Sequence, residues 1–203
     1  MNLFTNWKKT FLSKKDKSNK GGIDIPIKHL IETINRKENY FTTSSCSGRI
    51  VIIIEPKSGL KKDVDFLYET HAKASLKALK SRLKSKEKHT LWFRFEPMIL
   101  HVNCKTLDDA NGLVEKAQPF FKHSGIIAAK KKTILEIRGS EFIEAPIAKD
   151  RKSLVDDGYL KTLVNEANKK LRRTHEKINA LANVLEHQKV ETHIERSEVS
   201  SSF

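Results

Sequence analysis

Cysteine is scarce in this chain of 203 residues, which has only Cys46 and Cys104. Two cysteines cannot build the disulfide framework of a small secreted domain, nor paired CxxC zinc ligands, nor the three-cysteine run of a radical-generating iron-sulfur cluster. The eight histidines are scattered without an HxxxH pair, so no metal site is expected. Glycine is sparse too. There is no P-loop, and Gly21 and Gly22 precede a helical pattern with no buried strand before them, which is not the order a dinucleotide or ordinary class-one methyltransferase site requires. No run approaches the ~18 apolar residues needed to cross a bilayer, and the opening MNLFTNWKKTFLSKKDK has no apolar signal core. The expectation is a soluble, cytoplasmic protein with reduced thiols and no membrane partner.

Positive charge, by contrast, is abundant. Lys plus Arg outnumber Asp plus Glu by 39 to 25, a formal charge of +14 with a pI near 9.7. Such an excess concentrates polyanions around the protein, and with the membrane set aside it points to RNA.

The length suits one domain around a single core. Phe4, Trp7 and Phe11 recur at helical spacing, and Asp24 is placed to cap a helix with Pro26 in its first turn and Ile27, Leu30, Ile31 and Ile34 on one face. The β-branched run Ile50 to Ile54 reads as a buried strand. From Asp63 to about Lys86 no Gly or Pro interrupts the chain, and Ala72, Leu76, Leu79 and Leu83 predict one amphipathic helix. On its flank Lys73, Lys77, Lys80 and Lys84 form a stripe, which fits a solvated surface and an RNA-facing one equally. TLWFRF and MILHVNC read as two strands around Glu96-Pro97, the second with Met98, Leu100, Val102 and Cys104 inward and His101 and Asn103 on the other face. Thr106 and Asp109 resemble a capping box, and SGIIAA, KKK and TILEIRG a hairpin. Beyond Pro146, steps of four and three from Leu160 to Leu185 predict a long helix, folded back on the body or paired in a homodimer.

The stretch TTSSCSGR invites a chemical reading. A phosphatase-type loop needs an arginine six positions after its cysteine; here Arg49 follows Cys46 by three and position 52 is Ile, so that chemistry is excluded. Cys46 ahead of a buried strand reads as packing rather than as a nucleophile activated by His71 or His101. Hydroxyls, turn amides and a guanidinium at a strand edge suit a carboxylate or phosphate, but they equally suit a hydroxyl-rich turn relieved by Gly48.

Five stretches, DKSNKGGID at 16–24, YFTTSSCSGRI at 40–50, LWFRFEPMILHV at 91–102, SGII at 124–127, and EIRGSE leading to APIA, together resemble the wybutosine-synthesising protein 3 family of tRNA N-methyltransferases. The resemblance covers about residues 4–150 and implies methyl transfer from S-adenosylmethionine to a ring nitrogen of the aminocarboxypropylated demethylwyosine base of phenylalanine tRNA. It also implies an α+β fold outside the Rossmann class, a mostly antiparallel or mixed sheet flanked by helices. Residues 1–150 would form the methyltransferase-like domain, 151–190 the C-terminal helix and 191–203 a disordered tail.

Carried over residue by residue, the family's loop motif falls on Ser44, Ser45, Cys46, Ser47, Gly48 and Arg49. Its strand motif falls on Glu96, Pro97 and His101, its later Ser-Gly on Ser124 and Gly125, and the histidine after its aromatic helix start on His71. The resemblance makes His71, His101 and Glu96 the catalytic candidates, and Ser44, Ser45, Ser47, Gly48, Arg49, Pro97, Ser124 and Gly125 the cofactor-binding ones. Asp16, Ser18, Lys20 and Asp24 from the basic lead-in join Lys73, Lys77 and Lys80 as tRNA-binding candidates. Gly22 stands where the family commonly has Ser, and His123 where Arg or Asn is usual. The rival from another class is a noncatalytic basic RNA-binding or assembly protein.

Overall fold

The structure is a computed structural model that describes residues 3–13, 22–55, 65–83 and 87–198, with the side chains of 188–198 excepted. The turn expected at PKSGLKK, and Asp16, Ser18, Lys20 and Lys84, lie outside the described residues. Among the described residues no helix is long and apolar enough to cross a membrane.

The fold is α+β with antiparallel sheets and a long C-terminal helix, as expected, but with two sheets in place of one. The chain forms two compact units, each discontinuous in sequence: residues 1–46, 99–139 and 176–203 make the first, 47–98 and 140–175 the second.

In the first unit four strands follow the order β1-β5-β7-β6, all antiparallel. They are β1 Tyr40–Cys46, β5 Ile99–Cys104, β6 Gly125–Ala128 and β7 Thr133–Arg138. Leu100, Val102, Leu135 and Ile137 are fully buried on one face. Helix α4, Leu107–Ala117, begins at a capping box in which Thr106 accepts from the Asp109 amide while the Asp109 carboxylate accepts from the Thr106 amide. Its Ala110, Leu113 and Ala117 are buried. The apolar face of α2, Ile25–Arg36, is buried as its periodicity requires, although Asp24 sits at the N-cap position without a side-chain capping bond. Helix α1, Leu3–Leu12, brings Phe4, Trp7 and Phe11 onto Phe41, with ring centroids 5.4 to 6.4 Å apart.

The second unit holds a five-stranded sheet of order β3-β2-β4-β8-β9. Its strands are β2 Arg49–Ile54, β3 Asp65–Thr70, β4 Leu91–Glu96, β8 Ile143–Lys149 and β9 Lys152–Ser153. Ile50 and Ile52 of β2 join Leu91, Phe93 and Phe95 of β4 and the first half of α5, Asp157–Glu198, in one core that includes Leu160, Val164, Ala167 and Leu171. Further along the same helix, in the first unit, Ile178, Leu181, Ala182 and Leu185 are equally buried. The heptad stripe is therefore covered by the chain itself. The helix continues to Glu198, and residues 199–203 lie outside the described residues.

Three expectations are corrected. The single helix over residues 63–86 is instead a strand, Asp65–Thr70, followed by a short helix α3, Leu76–Leu83. The sequence DFLYET is rich in residues that suit a pleated edge, and the lack of a Gly or Pro hid the break. The hydroxyl stretch Thr42–Cys46 is strand, not turn; only Ser47 and Gly48 lie between β1 and β2. Asn103 is 5% exposed rather than presented to solvent, because it stands opposite Phe41, on which the α1 aromatics pack.

Candidate functional site

Five of the residues singled out from the sequence fall into two clusters, one in each unit: Ser44 with His101 in the first, and Arg49, Glu96 and His71 in the second.

In the first unit, strand register does the positioning. Ser44 on β1 stands opposite His101 on β5, and His101 opposite Glu136 on β7. The β1–β5 register slips between Thr42 and Ser44, so Thr43 is a bulge residue. Without that extra residue Thr43 would face His101 and Ser44 would turn to the opposite face, since side chains alternate along a strand. The bulge is held from α2: Asn35 accepts from the Thr42 amide at 2.8 Å and donates to the Thr42 hydroxyl at 3.1 Å. The result is a polar line across three strands. Ser44 Oγ is 2.7 Å from His101 Nδ1, and His101 Nε2 is 2.9 Å from Glu136 Oε2. Arg138 flanks the other Glu136 oxygen at 3.9 Å.

In the second unit, Arg49 opens β2 directly opposite Glu96 at the end of β4. Its Nε donates to Glu96 Oε2 at 2.6 Å and its Nη1 to Glu69 Oε1 at 2.7 Å, while the guanidinium lies 4.8 Å from the centre of the Phe66 ring. His71 Nε2 is 3.5 Å from Glu69 Oε1. Arg49 and Glu96 have side chains 27% exposed and Glu69 35%, so the group is neither buried nor freely solvated.

Between β1 and β2, Ser47 is fully buried and Gly48 takes φ +91°. A Cβ at Gly48 would stand 3.3 Å from the Glu96 carbonyl oxygen and 3.4 Å from the Met98 amide, so glycine is required there for conformation and for space. Ser45 and Pro97 are half-buried. Ser124 is buried and donates its hydroxyl to the Phe121 carbonyl at 2.6 Å, a bond that closes the turn after α4, and Gly125 follows as the first residue of β6, opposite Glu136. Lys73, Lys77 and Lys80 are exposed, and Lys80 is paired with Asp157 at 2.5 Å.

Cys104 is 3% exposed, and burial, with the nearby Asp109 carboxylate, pushes its thiol up to about 12. It is an inert packing thiol. Burial and the same carboxylate also push Tyr40 up to about 12, and its hydroxyl donates to the Asp109 carbonyl at 3.0 Å.

The sequence reading singled out Ser44, His101, Arg49 and Glu96, and the structure pairs Ser44 with His101 and Arg49 with Glu96 across neighbouring strands. It missed Glu136 and Glu69. Glu136 opens the EIRGSE stretch, and its alternation with Leu135 and Ile137 places it on the side of β7 away from the core; that was the available signal. Glu69 was hidden by the mistaken helix.

The sequence matches the model of the family described as Methyltransferase TYW3 over residues 6–187. The chain is 39% identical over 176 residues to the tRNA(Phe) 7-((3-amino-3-carboxypropyl)-4-demethylwyosine(37)-N(4))-methyltransferase of Thermococcus sibiricus, covering 86% of this chain and 89% of that one. It is 35% identical over 189 residues to the tRNA wybutosine-synthesizing protein 3 homolog of Mus musculus, covering 91% of this chain and 73% of that one. Among solved structures it resembles the PH1069 protein of Pyrococcus horikoshii with a TM-score of 0.78 and 39% identity, over 82% of this chain and 87% of that one. A match that spans both units and every described motif, at this identity, makes the chain a member of the TYW3 methyltransferase family.

Proposed function

We propose that this protein transfers a methyl group from S-adenosylmethionine to N(4) of 7-(3-amino-3-carboxypropyl)-4-demethylwyosine in phenylalanine tRNA. The observation that carries the reading is the 39% identity, over 86% of the chain, to a tRNA(Phe) methyltransferase of that specificity. The charge of +14 agrees with an RNA substrate.

The donor supplies an electrophilic methyl carbon on a sulfonium. Its ribose hydroxyls and ammonium are hydrogen-bond donors and need acceptors. Glu69 and Glu96 fit that need: each carboxylate has about four lone-pair sites, and Arg49 orients them while occupying only some of those. Glu96 is thus assigned to the donor, with Arg49 and Gly48 fixing its position and His71 alongside Glu69. Displacement at a sulfonium asks little of the protein beyond alignment and exclusion of water. The acceptor nitrogen loses a proton, and His101, within hydrogen-bond reach of both Ser44 and Glu136, is the residue assigned to take it. Lys73 and Lys77, exposed in the second unit, are assigned to the tRNA backbone.

The test is incubation with tRNA from cells that accumulate the demethylated intermediate, together with labelled S-adenosylmethionine, followed by nucleoside analysis. One methyl group gained at N(4) is expected. No label in the nucleoside, or a His101→Ala variant with the wild-type single-turnover rate, overturns the reading or its proton acceptor respectively.

A further inference from the structure

The line Ser44, His101, Glu136 carries a more specific consequence, because the hydrogen-bonding capacities of its end members decide where the protons sit. A carboxylate only accepts, so in the neutral ring Nε2, 2.9 Å from Glu136, bears the hydrogen and Nδ1 offers a lone pair. The Ser44 hydroxyl, 2.7 Å from Nδ1, is the donor to it. Among the described residues the lone pairs of Ser44 Oγ are then open to another group, and Ser44 is the exposed member of the line, whereas the His101 and Glu136 side chains are 29% and 20% exposed. The Thr43 bulge is what brings Ser44, rather than Thr43, opposite the histidine.

We propose that Ser44, His101 and Glu136 form a proton relay for the methyl-accepting nitrogen. Ser44 is the end that touches the base, and Glu136 is a positioning residue that sets the His101 tautomer. The proposal rests on the methyltransferase reading above. The acceptor nitrogen forms its bond to the methyl carbon as the carbon–sulfur bond breaks, with the electron pair staying on sulfur as a neutral thioether. The nitrogen's N–H bond breaks and its proton passes to Ser44 Oγ, while the Ser44 proton passes to His101 Nδ1. His101 becomes an imidazolium whose Nε2–H remains on the Glu136 carboxylate. After product release it returns the proton through Ser44 to water, and the line is restored.

Two readouts test the relay on the full chain: methyl transfer to tRNA carrying the demethylated base, and ¹⁵N spectroscopy of the His101 ring in the protein alone. Glu136→Gln is expected to lower kcat about 100-fold with KM for tRNA and S-adenosylmethionine within twofold of wild type. Its amide can donate as well as accept, so the ring should lose its Nε2–H preference and populate the Nδ1–H form. Ser44→Ala is expected to lower kcat similarly while the Nε2–H form persists, and the double variant should be no slower than the slower single one. Glu136→Asp should recover part of the rate.

Active wild-type protein beside equally active Glu136→Gln and Ser44→Ala variants overturns the relay alone. A tautomer unchanged in Glu136→Gln overturns the positioning role. If Glu136→Gln does not fold, a wild-type kcat in Ser44→Ala is sufficient to overturn the relay. A wild-type chain that transfers no methyl group overturns the methyltransferase reading and the relay with it.

Discussion

Gly48 lies against the backbone of Glu96 so closely that a Cβ would stand 3.3 Å from its carbonyl oxygen, at a φ of +91°. Conformation and space both oppose any other residue. Gly48→Ala is expected to destabilise the protein by about 1–3 kcal/mol, read as a lower denaturant midpoint at unchanged slope. Because the tight contact is with the Glu96 backbone, the affinity for S-adenosylmethionine should fall as well. An alanine variant of wild-type stability would mean that this turn is not under the constraint its geometry describes.

Arg49 bridges Glu69 and Glu96 at 2.7 and 2.6 Å. Hydrogen bonds to charged groups contribute about 1.5–3 kcal/mol when well formed, and the partial exposure of this group places it toward the lower end. Arg49→Ala takes from Glu69 and Glu96 the guanidinium that both accept from, so it should cost more than Arg49→Ala combined with Glu96→Gln. A double-mutant cycle by chemical denaturation checks the coupling, and additive losses would show that the pair is not energetically linked. Arg49→Lys should not restore the wild type, since one ammonium cannot reproduce the guanidinium fork.

What the sequence made legible was local. The capping box at Thr106 and Asp109 lies within three residues, the inward alternation of Leu91, Phe93 and Phe95 within five, and the α5 stripe repeats from turn to turn. Each signal is complete before the chain meets itself. Glu136 reaches His101 only through the register of β7 on β5, and Ser44 only through a bulge whose extra residue leaves no mark in the amino-acid string. Residues 65–70 were misread for a related reason: with nothing to break the pattern, a helical period beginning at Ala72 extends backward over a strand that exists because β2 pairs with it.

Cys104 and Cys46 should differ sharply toward thiol reagents. Burial holds the Cys104 thiol near 12, so it is protonated throughout the neutral range, and at 3% exposure it is shielded from reagents. Cys46 is only half-buried. Alkylation of the native protein followed by peptide mapping should find label on Cys46 alone, with Cys104 labelled only after unfolding. As a packing residue, Cys46 replaced by Ser should cost part of the activity and not all of it. Complete loss with the fold intact would reopen a covalent role.

Glu186 on α5 is close to Arg36 at 2.6 Å, His29 at 3.4 Å and the Thr33 hydroxyl at 3.2 Å. Desolvation alone would raise its carboxyl, but the Thr33 hydrogen bond and the positive charges of His29 and Arg36 outweigh it and hold the carboxyl below its ordinary value. A carboxyl depressed in the folded state contributes stability that is present above its unfolded pKa of ~4.3 and is lost as pH falls through the lower folded value. Glu186→Gln should therefore be less stable than wild type at neutral pH, and the gap should close in acid once the wild-type carboxyl is protonated. A gap that does not vary with pH would show that the glutamate acts through packing rather than charge.

Lys73, Lys77 and Lys80 are all exposed, and of the three Lys80 is paired with Asp157 at 2.5 Å. If the first two touch the tRNA backbone, each contact releases counterions on binding, and affinity falls with salt in proportion to the number of such contacts. Lys73→Glu with Lys77→Glu should weaken binding at all salt concentrations and reduce the slope of log affinity against log salt by roughly 1–2. Lys80→Ala should change that slope less than the double variant does, because the Lys80 ammonium already has Asp157 at 2.5 Å. Filter binding or anisotropy over a salt series measures all three slopes. A double variant that retains the wild-type slope would move the RNA contact away from this helix and onto other lysines of the chain.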